Sequence, residues 1–443
     1  MSADPNREYP PPAIGWYAVG VLTVAYILSF IDRSILTLMV GPIRADLGIS
    51  DTQLSLLHGL AFAIFYTTLG IPIALLADRL NRRNIMAIGI AVWSVATALC
   101  GLARSFWQLF AARVGVGVGE AALSPAAYSM IADLFPPSRL GRALATYTIG
   151  AFAGAGLAYL IGGAVIGMVS NAGPIILPLV GEVRPWQVVF FVVGWPGLLV
   201  SLWMLTLKEP ARRHQAAATP QGMGAALSAC LGHMKTHRQA YTAHLLGFTL
   251  LGLVFNAAIA WVPSYLIRVF ALPPAQAGFW VGSILLVAGT LGVLSGGWLT
   301  DKLSGRGQLD AAMRVGLVTA IGTLPFAATA TVVPGLGLTL ALFTGLIFFT
   351  SMPFGAAAAA IQFITPPGMR ATASSIYLCV LNLIGLGGGP TLVALVTDYW
   401  FVDDLAVGKS LALATAVATV PAIAVFAWGL PHFRRTASAV RGA

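Results

Sequence analysis

Apolar residues along this chain neither alternate with polar ones nor mark a single helical face. They fill stretches of twenty residues and more, separated by short clusters of charge, proline and glycine. A helix that is apolar all round belongs inside a large core or a membrane, and bilayer hydrocarbon takes about 20 residues of helix to cross. Such runs fall at 14–40, 51–77, 84–103, 106–132, 139–168 and 186–207, then at 240–270, 275–300, 312–331, 334–362, 370–397 and 405–430. The pattern predicts an all-α membrane protein of twelve transmembrane helices in two six-helix bundles, 14–207 and 240–430. A tail (1–13), a polar central loop (208–239) and a second tail (431–443) complete the division.

Composition strengthens this reading. Of 443 residues, 58% are hydrophobic and only 9% charged, against roughly 25% charged in a soluble domain. The formal net charge of +10 would raise nucleic-acid binding in a soluble protein, but here the basic residues sit between apolar runs and act as a topology signal. Cys100, Cys230 and Cys379 lie far apart with no metal-ligand spacing, so neither a disulfide framework nor a metal site is expected. The first dozen residues, MSADPNREYPPP, lack the basic region and cleavage motif of a signal peptide, so the first span is expected to start insertion.

With the N-terminus inside, the inner segments hold most of the basic residues, among them Arg79, Arg82, Arg83, Arg139, Arg142, Lys208, Lys235, Lys302, Arg370 and Arg434. The outer segments hold only Arg44, Arg104, Arg184, Arg268 and Lys409. The positive-inside rule therefore puts both termini and the central loop in the cytoplasm. The halves also echo each other. Ala74-Leu-Leu-Ala-Asp78-Arg79 follows the second run and Gly297-Trp-Leu-Thr-Asp301-Lys302 the eighth. Pro136-Pro137-Ser-Arg139 follows the fourth and Pro366-Pro367-Gly-Met-Arg370 the tenth. Paired motifs at a common offset are the pattern of repeat-built transporters.

Four charged residues lie well inside predicted spans: Asp32 and Arg33 in the first, Arg113 and Glu120 in the fourth. Each costs about 2.5 to 3.5 kcal/mol on insertion scales and needs a partner or water. At about 1.5 Å per residue, Asp32, Arg113 and His58 share one layer about 10 to 12 Å below the outer surface. Asp32 is expected to pair with Arg113 when ionised and to release it when protonated, because a carboxylate holds its proton less tightly beside a cation than alone in a dry cavity. A permanent ion pair fixing helix register is the other reading. Arg113 and Glu120 share a helix face. Glu120 reads as a second proton site, a contact for a cationic group or a hydrogen bond to a neighbouring helix. Arg33 faces an adjacent helix or an anionic substrate, and His58 relays protons or bonds between helices. The second half carries no charge in mid-span, so its cavity candidates are Asn256, Trp261, Gln362, Tyr377 and Asn382, with plain packing the alternative for each.

Gly115, Gly117 and Gly119 miss the dinucleotide fingerprint, since Glu120 stands where its last glycine belongs. Small residues in a membrane helix instead let neighbours approach. Gly408-Lys409-Ser410 only ends like a phosphate loop, and neither HExxH nor GxSxG occurs. No cofactor, ATPase or hydrolase chemistry is therefore expected.

The segment Ala74-Leu-Leu-Ala-Asp78-Arg79-Leu-Asn81-Arg82-Arg83 resembles the signature loop of the major facilitator superfamily, with Ala74 and Asn81 replacing its usual glycines. Asp78-Arg79-Leu-Asn81-Arg82-Arg83, Ile31-Asp32-Arg33, Arg113 to Glu120, Trp186, Lys208-Glu209-Pro210 and Trp261-Val-Pro263 resemble its spinster branch. The resemblance implies the major facilitator fold, two pseudo-symmetric bundles and alternating access, with Asp32 and Arg113 as the protonation pair. It also implies a cytoplasmic gate at Asp78 and Arg79, to which Arg82, Arg139, Arg142 and the repeat pair Asp301 and Lys302 are joined here. A sphingolipid-like or lysophospholipid-like substrate, symported or antiported with protons, is the class it suggests. The residues alone fit an aromatic or organic anion or a hydrophobic drug equally well, and a non-transporting membrane sensor is the competing class. A monomer in a bacterial plasma membrane completes the expectation.

Overall fold

A computed structural model describes residues 9–169, 175–177, 181–211, 223–366 and 369–442. Among them, eleven helices are long and apolar enough to cross a membrane. The remaining predicted run, the fourth, is helical but divided, into Phe106–Glu120 and Leu123–Leu134. Pro125 explains the division: it has no N–H to donate to the Ala121 carbonyl, and its ring crowds that carbonyl. Other spans contain π-helical turns, at Leu56–Leu60 in the second, Leu285–Gly289 in the eighth and Leu381–Gly388 in the eleventh.

Two features lie outside the predicted runs. Residues Ile175–Leu177 and Gly181–Val183 pair as a short antiparallel hairpin between the fifth and sixth spans. The central loop contains the helix Met223–Thr236. That helix buries Cys230 and Met234 on one face and exposes Leu227, Leu231 and Lys235 on another.

The chain forms two compact units, 1–216 with 272–283, and 217–271 with 284–443. In the first, the helix Pro12–Ser34 packs on Pro137–Val169, and Arg82–Cys100 packs on both Pro185–Met204 and Phe106–Glu120. Val19, Leu22, Met86, Trp93, Met130 and Tyr147 form its core. In the second, the helix Arg238–Val269 packs on Val407–Gly442, which also meets Ala311–Thr329, around Tyr241, Phe248, Phe343 and Phe426. Close approach is built in by glycine: a Cβ on Gly119 would stand 2.5 Å from the Trp93 nitrogen and 2.6 Å from the Gly89 carbonyl.

The outer surface remains apolar. Ile88, Trp107, Trp195, Leu202, Leu294 and Trp298 are each more than half exposed, far beyond what a water-soluble fold tolerates. Tyr17, near the start of the first helix, and Trp203, near the end of the helix Pro185–Met204, are aromatic residues at helix ends, as at a membrane interface. There Trp203 donates to the Tyr17 hydroxyl at 2.9 Å, and that hydroxyl lies 2.6 Å from Thr206 Oγ1.

Candidate functional site

The buried charges of the first unit come together. Ser29, Asp32 and Arg33 are spaced i, i+3 and i+4, so one face of the first helix carries all three. Arg113 and Glu120 share the inner face of the helix Phe106–Glu120, with Arg113 wholly buried and Glu120 and Asp32 nearly so. His58 is also buried and lies in the π-turn of the second span.

The pairing differs in detail from the expected one. Glu120, not Asp32, holds an ion pair: Arg33 approaches Glu120 Oε2 with Nη2 at 2.5 Å and Nε at 2.7 Å, and Ser29 donates to the same oxygen at 2.6 Å. The Arg33 guanidinium also lies against the rings of Phe62 (4.3 Å), Phe30 (5.0 Å) and Tyr66 (5.1 Å), contacts that suit its planar, weakly hydrated cation. Arg113 donates to two main-chain carbonyls, Asp32 at 3.1 Å and Leu57 at 3.4 Å. The Asp32 carboxyl shares its surroundings with Glu120, Arg113 and Thr97. Among the described residues, Arg113 Nη2, Glu120 Oε1 and His58 Nδ1 are buried without a hydrogen-bond partner. Expected neighbours are therefore present, but the guanidinium bonds to the backbone of Asp32.

The second-unit candidates each make their own contacts. Trp261 donates to the Pro390 carbonyl at 2.8 Å and lies near Arg268. Asn256 folds back on the Gly252 carbonyl, and Gln362 donates to Ser374 at 3.0 Å. Tyr377 is buried against His244, and Asn382 is half-buried in a π-turn. His244 is a further buried polar residue of this unit that the sequence does not single out, since a lone histidine in an apolar run carries no motif. It is wholly buried, and neither ring nitrogen has a hydrogen-bond partner among the described residues.

Of the residues assigned to a gate, Arg82 is buried and the others whose side chains are described are exposed. Asp78 and Arg79 end the helix Ala61–Arg79, and their side chains lie outside the described residues. Arg139, Arg142, Asp301 and Lys302 are exposed, with Lys302 over the Trp298 ring. Arg82 is buried and fully engaged within its own unit. It donates to Asp133 at 2.6 Å, Ser129 at 2.9 Å, Glu209 at 2.7 Å and the Pro210 carbonyl at 3.2 Å. Glu209 also accepts from the Arg83 N–H at 3.1 Å, while Asn81 caps the same helix by accepting from Asn84. A carboxylate there meets the unpaired N–H groups and positive end of that helix.

Apolar helices that hold opposite charges at mid-span are the construction of a polytopic membrane transporter. The chain belongs to the Major Facilitator Superfamily, whose profile matches residues 22–390, and its similarities place it in the spinster-like branch. It is 30% identical over 409 residues to an MFS-type efflux pump of Mycolicibacterium smegmatis, covering 91% of this chain and 90% of the relative. It is 28% identical to protein spinster homolog 1 of Homo sapiens, covering 86% of this chain and 72% of that one. The crystal structure of a bacterial homologue of the human lysosomal transporter spinster, inward-facing and unoccupied, matches with a TM-score of 0.75 at 27% identity, covering 98% of both chains.

Proposed function

We propose that this transporter couples the movement of an amphipathic substrate to protons by alternating access, with the Asp32, Arg113, Glu120 and Arg33 cluster as the coupling site. The observation that carries the reading is Arg113: a wholly buried guanidinium held by the carbonyls of Asp32 and Leu57, with one nitrogen unpartnered. A buried cation is costly without a carboxylate upon it. Ionisation of Asp32 draws Arg113 from the carbonyls to the carboxylate, and protonation returns it. Because that exchange moves the first span against the fourth, proton binding biases one conformation over another. Glu120, already neutralised by Arg33, sets how strongly a second negative charge at Asp32 is opposed.

A lipid-like or lysolipid-like substrate suits the cluster through an anionic or zwitterionic head that Arg113 would meet. The resemblance to the spinster branch suggests this class. The mycobacterial relative named as an efflux pump supports a second reading, export of hydrophobic drugs or organic anions through the same site. Both readings place the protein in a bacterial inner membrane with its termini in the cytoplasm, following the basic residues of the loops. A thermal-stability screen of the purified protein against lysolipids, sphingoid bases, aromatic acids and cationic dyes separates them. The account expects a lysolipid or sphingoid base to raise the midpoint of the native protein and not of Arg113→Ala. Stabilisation by dyes alone assigns drug export. A lipid response unchanged in Arg113→Ala removes Arg113 from the site.

A further inference from the structure

The second unit contains a cavity of about 250 Å³ that the coupling site does not use, at the start of the helix Arg238–Val269 and beside the last turns of Val407–Gly442. His237, Arg238, Gln239, His432, Arg435 and Thr436 line it, and no carboxylate does. The sequence makes this imbalance deliberate in effect: no acid occurs between Glu209 and Asp301, and none follows Asp404. The neighbouring acid, Asp310, is occupied by Arg434 at 2.8 Å and Arg314 at 3.1 Å. Consecutive arginines thus divide: Arg434 is paired with Asp310, and Arg435 lines the cavity with no acidic partner among the described residues. Thr436, buried, lies 3.4 Å from His237 Nδ1. The His237 side chain does not cap the helix it precedes, so the N–H groups of the first turn add to the positive potential.

Position identifies the source of the anion. The helix Arg238–Val269 has 32 residues, about 48 Å at 1.5 Å per residue, whereas bilayer hydrocarbon is about 30 Å thick. Its first turn therefore stands at the level of lipid phosphates. One turn before His432, Trp428 presents its ring 5.1 Å from the imidazole and is nearly half exposed, an apolar surface leading from the cavity toward the membrane interior. We propose that this cavity binds the phosphate of an anionic membrane lipid, with Arg238 and Arg435 on the phosphoryl oxygens and the acyl chain laid over Trp428. Basic pockets at the ends of membrane helices suit such headgroups, and paired arginines suit phosphate geometry.

The test is thermal unfolding of the purified full chain in detergent supplemented with phosphatidylglycerol, with phosphatidylcholine or with inorganic phosphate. Phosphatidylglycerol should raise the midpoint by a few degrees over phosphatidylcholine. Arg238→Gln/Arg435→Gln should lose that increment, and Lys409→Gln, at the other end of the same helix, should keep it. Both substituted arginines are exposed, so the double variant folds and its own midpoint in phosphatidylcholine is the reference. Equal midpoints in the two lipids for the native protein, or an increment retained in the double variant, overturns the proposal. A rise with inorganic phosphate equal to that with phosphatidylglycerol overturns the lipid assignment and leaves a soluble phosphate as ligand.

Discussion

Arg113 Nη1 donates at 3.1 Å to the main-chain carbonyl of Asp32, so the two residues that sequence reasoning joins through their charges are joined through the backbone. A carbonyl is a weaker partner for a guanidinium than a carboxylate. The contact therefore keeps Arg113 next to Asp32 while leaving it free to be recaptured, which a permanent ion pair would not do.

The Arg33 and Glu120 pair has a different character. One Glu120 oxygen collects Arg33 and Ser29 inside a ring of Phe30, Phe62 and Tyr66. Glu120→Gln strands a mostly buried cation and should cost about 3 kcal/mol, whereas Ser29→Ala should cost about 1 kcal/mol. In a double-mutant cycle, Arg33→Gln with Glu120→Gln should cost less than the two changes added. Additive losses below about 0.5 kcal/mol each would mean that the pair behaves like a surface contact.

Arg82 ties the start of the third span to Asp133 near the end of the fourth and to Glu209 beyond the sixth. Asp133→Asn should lower stability by about 3 kcal/mol, because a buried guanidinium loses its closest carboxylate. Arg82→Lys should not rescue it, since an ammonium cannot reach Asp133, Glu209 and the Pro210 carbonyl together. Chemical unfolding in detergent measures both. A loss confined to transport rate, with stability unchanged, would assign the network to gating.

Asp310 supplies a pH prediction. Burial alone would raise its pKa, but hydrogen bonds from Arg434 and Arg314 and their charges hold it below the ordinary carboxylate value. A depressed folded pKa contributes stability above the unfolded value of about 3.9, and that contribution disappears as the pH falls through the folded value. Asp310→Asn should therefore unfold at a lower temperature than the native protein at pH 7, with the gap closing at and below about pH 4. A constant gap from pH 7 to pH 3 would show that the cost comes from packing.

The apolar runs made most of the fold legible, because a bilayer demands length and apolarity and little else. What they hid has local causes. Pro125 divides the fourth span through one missing N–H and a crowded carbonyl, which a hydropathy average cannot register. The helix Met223–Thr236 lies in a stretch polar enough to look like a loop, and its burial of Cys230 and Met234 comes from tertiary packing. Gly119 was legible as a place of close helix approach, although its neighbours Trp93 and Gly89 were not. Within the site, depth counting puts Asp32, Arg113 and His58 in one layer, and helix rotation puts Arg113 and Glu120 on one face. The i, i+3, i+4 spacing that sets Ser29 beside Asp32 and Arg33 carries no charge pattern to mark it. Asp133, one residue past the predicted run 106–132, has its partner Arg82 51 positions away, a pairing that no local pattern marks.

The coupling claim is tested most directly by proton movement. Proteoliposomes loaded with a pH-sensitive dye are presented with lysophospholipid, sphingoid base or cationic dye, and internal pH is followed alongside substrate counterflow. For the substrate the native protein carries, the account predicts proton movement with transport. In Asp32→Asn, counterflow should persist and proton movement should vanish. Proton movement in Asp32→Asn equal to that of the native protein would contradict the assignment of Asp32 as the coupling carboxylate.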